Sequence, residues 1–170
     1  MLETRRSGSA QVGLAFRQGL MWGLLACCGQ LGLLGVTYAE AQVGDTSSFA
    51  LFVLLSLTGL GLSAIVLYSF WSAGWRTRRR GSSTGVGMLS GLVAGLVAAG
   101  QLLLTSAILF NYAAPLYRLL SKSGASPFRL PPLDATSTAS TLIGYGVTGA
   151  FIALLAILLE ERTTRNARSA

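Results

Sequence analysis

Side chains that could carry chemistry are few in this chain, and the most informative ones lie inside long apolar runs. Gln30 and Gln101 each follow a glycine in the middle of such a run, and Asn111 ends the run that contains Gln101. A carboxamide in hydrocarbon needs partners, because lipid offers neither donor nor acceptor. The three residues predict hydrogen bonds between Gln30 and Gln101 or to backbone carbonyls, a polar lining for a permeating species, or oxygen ligands for the magnesium of a pigment.

Other kinds of site chemistry are excluded or disfavoured by the composition. The sequence has no histidine, which excludes histidine-ligated haem and every catalytic triad that uses an imidazole base. Its two cysteines, Cys27 and Cys28, are adjacent, and neighbours on a helix point in different directions, so they do not predict a disulfide or a metal site. Glu160 and Glu161 are consecutive at the end of an apolar run and do not form a catalytic pair across a site. We therefore predict that the protein is not an enzyme and holds no metal.

The elements that must position these residues are membrane-spanning helices. Apolar residues make up 52% of the 170 residues and charged residues only 11%, against about 25% charged in a soluble domain. Four uncharged stretches exceed the ~20 residues that cross a bilayer core. We predict an all-α, integral membrane four-helix bundle over 14–160, with polar segments before and after it at 1–13 and 161–170. The predicted spans are 14–38, 49–75, 87–111 and 137–159, with a segment that lies on the bilayer surface at 112–133.

Basic residues predict the orientation of the bundle. The arginines Arg76, Arg78, Arg79 and Arg80 form a cluster in the central loop. Most of the other basic residues flank the first and last spans on the same side, and the opposite side has only Arg118, Lys122 and Arg129. The positive-inside rule then places both termini and the arginine cluster on the cytoplasmic or stromal side. Attraction of anionic lipid is a second interpretation of the cluster. Because basic flanks accompany membrane insertion, we do not expect nucleic-acid binding.

Glycines predict where the helices meet. Small residues let helix backbones approach closely, which drives helix association in lipid. The third span offers Gly87, Gly91 and Gly95 as a face for a partner, and its Gly100-Gln101 resembles Gly29-Gln30 of the first span. The predicted helix-packing residues are Gly29, Gly59, Gly87, Gly91, Gly95, Gly100 and Gly149.

Two halves of the chain look alike, which suggests an internal repeat. The matched features are Ala26-Cys27-Cys28-Gly29-Gln30-Leu31 with Val97-Ala98-Ala99-Gly100-Gln101-Leu102, Thr58-Gly59 with Thr148-Gly149, and the caps Asp45-Thr46-Ser47 and Asp134-Ala135-Thr136-Ser137. The carboxylate of each cap would bind backbone N–H groups at a helix start. Two helical hairpins arranged as a parallel repeat are one possible organisation of the bundle.

Several short motifs resemble one known family. They are Ala15-Phe16-Arg17 with Gly19, Trp22 and Gln30-Leu31, then Phe49–Phe52, the arginine-rich central loop, and Pro132-Leu133-Asp134. Over about 14–160 they resemble the four-helix membrane proteins of cyanobacteria and plastids that include the inner-envelope protein Tic21, also called permease in chloroplasts. The resemblance implies a location in a chloroplast envelope, thylakoid or cyanobacterial membrane, and a part in protein import or iron transport.

Two functions follow as expectations. The first is a non-catalytic membrane protein of transport or protein translocation, as the resemblance implies. The second is an accessory structural subunit of a photosynthetic or respiratory supercomplex, with its glycine faces packed on larger subunits. Its partners would be membrane lipids and other membrane subunits. In a photosystem, chlorophyll or carotenoid could be bound as well, and the ligand of chlorophyll would be Gln30, Gln101, Asn111, a backbone carbonyl or water.

The predicted orientation can be tested by cysteine accessibility. In a variant without Cys27 and Cys28, single cysteines placed within 1–13, 76–80 and 161–170 should react with a membrane-impermeant maleimide from the cytoplasmic or stromal side. A cysteine placed within 123–129 should react from the opposite side, because we expect this loop on the other side of the membrane. Labelling of the two termini from different sides would contradict the four-span arrangement.

Overall fold

The chain forms a bundle of long helices. The structure, a computed structural model, describes residues 8–43, 49–122 and 130–169, and within these ranges it contains helices and no strand. The helices are α1 (Gly8–Val43), α2 (Phe49–Arg79), α3 (Thr84–Tyr112), α4 (Ala114–Lys122) and α5 (Ala135–Ser169). Four of them are long and apolar enough to cross a membrane. This confirms the predicted all-α fold with four candidate spans of an integral membrane protein.

The long helices extend beyond the predicted apolar spans. α1 begins at Gly8 and α2 continues to Arg79, so both include polar residues that lie outside the uncharged stretches. Backbone hydrogen bonds of a helix do not depend on lipid, so a span can continue as helix into the headgroup region and water. The uncharged stretches of the sequence mark only the part within hydrocarbon, so each helix is longer than the span predicted for it.

Helix ends are set by local hydrogen bonds. At the start of α5, Asp134 accepts bonds from the backbone N–H and the hydroxyl of Ser137, both at 2.8 Å, as the sequence predicts. These bonds hold the pKa of the Asp134 carboxyl below its usual value. The turn between α2 and α3 needs Gly81, which has φ 79°, and Ser83 then caps α3. The predicted cap at Asp45 lies outside the described residues.

Contacts between the helices define the arrangement of the bundle. α1 and α5 lie on opposite sides of the central pair α2 and α3. Gly19 packs near Ser90 and Gly23 near Val97, so α1 and α3 run parallel. Gly74 of α2 packs on Ala153 of α5, and these two helices are also parallel. Sequential helices therefore alternate in direction, with the arginine cluster at the end where α1 begins and α5 ends.

The seam between α3 and α5 is the closest contact of the bundle. Gly91 and Gly149 lie backbone to backbone, and Gly95 lies against the carbonyl of Tyr145. A Cβ added at Gly87 would come within 2.5 Å of the Ile157 side chain. The glycines of α3 that we expected to meet a partner are therefore buried within the chain itself.

The other predicted packing glycines differ in how closely they approach a neighbouring helix. An added Cβ at Gly29 would lie 2.9 Å from Val66 of α2, so this glycine is a contact between helices. Gly59 lies beside Val36 with room for a Cβ. Gly100 is exposed and has no atom within 4 Å of an added Cβ, so its predicted packing role is wrong within this chain. Its face of α3 turns away from the other helices.

α4 and Leu130, which lie between α3 and α5, pack against one end of the bundle. α4 begins next to Pro115, and Leu120 and Leu130 are only 3% and 1% exposed, packed with Leu34 of α1 and Leu102 of α3. The sequence predicts a segment that lies on the bilayer surface. In the structure Leu120 and Leu130 pack on α1 and α3, so that their apolar area is buried against the bundle.

Substitution of two glycines on α3 should separate the seam from the lipid face. Gly95→Ala should lower the free energy of unfolding by about 1–3 kcal/mol, because the added methyl meets the backbone of α5, which cannot move aside without separating the helices. Gly100→Ala, on the open face, should leave stability unchanged or raise it by up to about 1 kcal/mol. Denaturant titration in mild detergent measures both. Equal effects of the two substitutions would contradict the seam.

Candidate functional site

Gln30 is buried at the centre of the bundle without hydrogen-bond partners. Its side chain is 1% exposed, and neither its amide nitrogen nor its carbonyl oxygen makes a hydrogen bond. The carbonyl oxygens of Gln18 and Gln101, the hydroxyl of Ser72 and the indole N–H of Trp22 also lack hydrogen bonds, but each of these residues leaves one group unsatisfied. Gln30 leaves both a strong donor group and a strong acceptor. A buried polar group without a partner costs about 1–3 kcal/mol, so this position calls for a ligand or water.

The other two predicted carboxamides face elsewhere. Gln101 donates to the hydroxyl of Thr105 on its own helix, at 2.9 Å. Asn111 donates to the carbonyl of Ala107 at 2.8 Å and is exposed. The predicted bond between Gln30 and Gln101 is therefore not formed, because α3 is rotated so that Gln101 lies along its own helix. Of the three carboxamides, the structure places only Gln30 in the core.

Tyr145 of α5 connects Gln30 with a pocket. Its hydroxyl comes close enough to the Gln30 carboxamide to interact with it, but the contact does not have the geometry of a hydrogen bond. Tyr145 also packs between the two apolar clusters of the bundle. Through this side chain α5 reaches towards α1, although the backbones of the two helices lie apart.

A groove between α2 and α5 forms the candidate site. It has a volume of about 420 Å³, within the range of about 300–1,000 Å³ that small-molecule sites usually have. We call it the α2–α5 groove. It is lined by Ser63, Val66, Leu67, Phe70, Ser140, Thr141, Gly144, Tyr145 and Thr148. Most of its wall is apolar, with hydroxyl groups from both helices.

Hydroxyl groups also join α2 to α3 nearer the arginine cluster. The Ser90 hydroxyl donates to the carbonyl of Ala73 at 2.7 Å, and the Thr77 hydroxyl lies 3.0 Å from the Ser90 oxygen. These bonds cross the helix interface without any charge. Such interhelical bonds contribute about 0.6–2 kcal/mol each in membrane proteins. This network has its partners and therefore stabilises the bundle without forming a binding site.

Two arginines of the cluster pair with the end of α5. Arg79 Nε lies 2.8 Å from Glu160, and Arg78 lies 3.2 Å from Glu161. Arg79 also stacks on Trp75, and Arg76 lies over the ring of Trp22 at 4.8 Å.

These pairs change the interpretation of the arginine cluster. The paired side chains are partly exposed, and exposed ion pairs contribute about 0–1 kcal/mol. Arg78 and Arg79 are therefore held on α5, while Arg80 is exposed at the surface. Attraction of anionic lipid would rest chiefly on Arg76 and Arg80, with Arg78 and Arg79 joining two helices.

The thiols do not form a site. Cys27 is buried with its sulfur 3.8 Å from the carbonyl of Val97, and Cys28 is exposed towards lipid. Among the described residues there is no group of three side chains of the types that hold a metal ion. Cys27 therefore packs as a small residue of α1, and Cys28 lies on its outer face.

Known proteins offer no match to this arrangement. No family model, curated protein or solved structure matches the chain. The interpretation of the site therefore depends on its geometry and on the residues of this chain.

Sequence reasoning missed the groove. Its hydroxyl residues Ser140 and Thr141 look like ordinary members of a serine- and threonine-rich helix start, and Ser63 and Thr148 like isolated small polar residues. Tyr145 lies between two glycines, Gly144 and Gly146. This pattern of a large side chain between small residues was the one feature of the sequence that indicated a close helix contact here. Only the pairing of α2 with α5 brings these residues to one surface.

Removal of the unpartnered carboxamide should stabilise the ligand-free protein. Gln30→Leu should raise the free energy of unfolding by about 1–2 kcal/mol, because a buried group without hydrogen bonds is replaced by an apolar group of similar size. Gln101→Leu is the comparison variant and should change it by less than about 1 kcal/mol, since the loss of one bond within a helix offsets the removal of one unsatisfied oxygen. Thermal unfolding of delipidated protein in detergent measures both. Destabilisation by Gln30→Leu alone would mean that Gln30 has partners within the chain.

Proposed function

We propose that this protein is a non-catalytic transport component of a plastid or cyanobacterial membrane, which binds an uncharged molecule inside the bilayer. The observation that carries the proposal is Gln30, a carboxamide buried at the centre of the bundle with no hydrogen bond and with Tyr145 between it and the α2–α5 groove. A polar group kept without a partner in the core is an expected feature of a binding site.

The charge of the surroundings supports an uncharged cargo. The stretches 18–39, 46–75, 81–117 and 135–159 contain no charged residue, so the middle of the membrane offers no counter-ion. Burial of an ion there without a paired charge would cost far more than the few hydroxyl groups and one carboxamide could offset. Iron as a free cation fits this interior poorly, whereas a neutral molecule with one polar end fits it.

The form of the transport follows from the packing. The centre of the bundle is filled by side chains such as Phe70, Ala94 and Ala98, and the four spans are continuous helices. Transporters that alternate between two open states usually have broken helices at the binding site. We therefore propose a protein that takes its cargo from the lipid side and transfers it to another component, rather than a water-filled pore.

Location and orientation belong to the same proposal. The resemblance of the short motifs supports a plastid or cyanobacterial membrane. The arginine cluster would face the cytoplasm or stroma, because positive loops remain on that side. The parallel pairs α1 with α3 and α2 with α5 are compatible with a repeat of two helical hairpins.

A second candidate, an accessory subunit of a photosynthetic or respiratory supercomplex, is favoured by α2. In the most apolar stretch of α2 only 17% of the residues are buried inside the chain, against 50% in the corresponding stretch of α1. Leu54, Leu57 and Leu60 are exposed on it at helical spacing, a surface that a neighbouring membrane subunit could cover. In such a complex the exposed carboxamide of Asn111 could offer an oxygen ligand to chlorophyll.

Bound cargo tests the proposed function. Protein purified in mild detergent should carry an uncharged molecule that native mass spectrometry detects and solvent extraction releases. Gln30→Leu should weaken its binding about tenfold, because Tyr145, which lines the α2–α5 groove, would lose its polar neighbour and change its position. Gln101→Leu should retain it. Vesicles with wild-type protein should then exchange the extracted molecule faster than vesicles with the Gln30→Leu variant.

The two candidates give different results in this experiment. Equal exchange rates for wild-type and Gln30→Leu vesicles would reject transport. Recovery of the chain in fixed stoichiometry with a larger photosynthetic or respiratory assembly, without any exchange activity, would support the accessory subunit.

A further inference from the structure

The α2–α5 groove widens away from the arginine cluster. Near the cluster the two helices touch, since an added Cβ at Gly74 would lie 2.5 Å from the Cβ of Ala153. Farther along, Ser63 and Thr141 line opposite walls of the groove. With a rise of about 1.5 Å per residue, Thr141 lies about 9 Å and Thr148 about 20 Å from the start of α5. In a core about 30 Å thick, the groove therefore runs from near one membrane surface to beyond the middle.

The polar groups of the groove are concentrated towards its wide end. Ser140 and Thr141 lie one to two turns inside the start of α5, near the membrane surface. Val66, Leu67 and Phe70 form the apolar wall, with Phe70 at the deeper end. A molecule with one polar end and an apolar body would match this order if its polar end lay near the surface.

Hydrogen bonds within the helices limit what the hydroxyl groups can offer. Ser63 donates to the carbonyl of Gly59 at 2.9 Å, and Thr141 donates to Ser137 at 2.7 Å. Ser140 also donates to the Ser137 carbonyl, at 3.0 Å. Ser63, Ser140 and Thr141 have each used their single proton, so near the membrane surface the groove offers acceptor oxygens, whereas the hydroxyls of Thr148 and Tyr145 lie deeper in the groove. The group on a ligand that matches the surface end is therefore a donor, such as a hydroxyl.

The groove opens to lipid rather than to water. Leu67 is 51% exposed, and Gly144 and Thr148 are exposed beside it on the outer surface of the bundle. At this depth the exposed surface faces hydrocarbon, so a ligand would come from the bilayer itself. This excludes strongly hydrated molecules as the usual occupant.

We propose that the α2–α5 groove binds an uncharged lipid alcohol, with its hydroxyl donating to the oxygens of Ser140 and Thr141 and its apolar body along Leu67 and Phe70. The inference rests on the proposed function and deepens it by naming the class of cargo. A ketone, an ether or a hydrocarbon of the same shape lacks the donor that these acceptors need. A charged lipid would bring an ion into a wall without counter-charge.

Gly144 allows the groove to be filled without disturbing the bundle. It lines the groove, and an added Cβ there would meet no atom within 4 Å. Gly144→Leu should therefore occupy the groove with its own side chain and leave the helix contacts intact. Gly100→Leu is the matched control, since Gly100 is an exposed helix glycine with the same open space and lies outside the groove.

Photolabelling with a diazirine-bearing geranylgeraniol tests the proposal in detergent solution. Wild-type protein should be labelled on α2 and α5 around Ser63–Phe70 and Ser140–Thr148, and unlabelled geranylgeraniol should compete. Gly144→Leu should lower labelling at least about tenfold, and Gly100→Leu should not change it. The methyl ether of the same probe should label at least about tenfold less, because it cannot donate a hydrogen bond. Unfolding temperatures of both variants verify that they are folded.

The outcomes separate the site, the ligand class and the transport function. Equal labelling of wild type and Gly144→Leu, or labelling mainly on the exposed leucines of α1, would reject the groove as the site. Equal labelling by alcohol and ether would reject the lipid alcohol while leaving an uncharged cargo of another class. Labelling as expected, with no difference in exchange between wild-type and Gln30→Leu vesicles, would reject only the transport function.

Discussion

The close approach of α3 to its neighbours is the constraint on which the rest of the bundle depends. Lipid supplies no hydrophobic force between helices, so association requires dense van der Waals contact, which small residues allow. α3 meets α5 through Gly91 and Gly95 and meets α1 where Gly19 and Gly23 face Val93 and Val97. Because both faces of α3 are used in this way, α3 sets the positions of α1 and α5, and α2 packs into the space that remains.

That remaining space explains why the α2–α5 groove lies where it does. α2 contributes the large side chain of Phe70 to the core, whereas α3 contributes glycine and alanine, so α2 cannot approach α5 as closely along its whole length. The two helices touch at Gly74 and Ala153 and are joined beyond that point by the ion pairs of Arg78 and Arg79. One fixed end and one bulky middle leave an opening towards the other membrane surface.

The fold was predictable from the sequence to the extent that it depends on composition. Uncharged length predicts four spans, and Asp134 with Ser137 predicts the start of α5. The rotation of each helix was not predictable, because it is decided by contacts between distant residues. Gln30 and Gln101 follow similar glycines, yet the contact of Gly95 with Tyr145 turns α3 so that Gln101 bonds Thr105 and Gly100 faces outwards. The groove could not be predicted, since its two walls are about 80 residues apart, like the 79 positions between Gly74 and Ala153.

Gln30 shows how function and stability oppose each other in such a bundle. Leucine at this position would fill a similar volume and leave no polar group unsatisfied, so packing alone favours an apolar residue. A glutamine that bonded Gln101 would hold α1 on α3, but the observed rotation removes this explanation. The side chain near Gln30 is that of Tyr145, which also lines the α2–α5 groove. A molecule bound in the groove contacts Tyr145, and through this side chain its binding is coupled to the surroundings of Gln30 on α1.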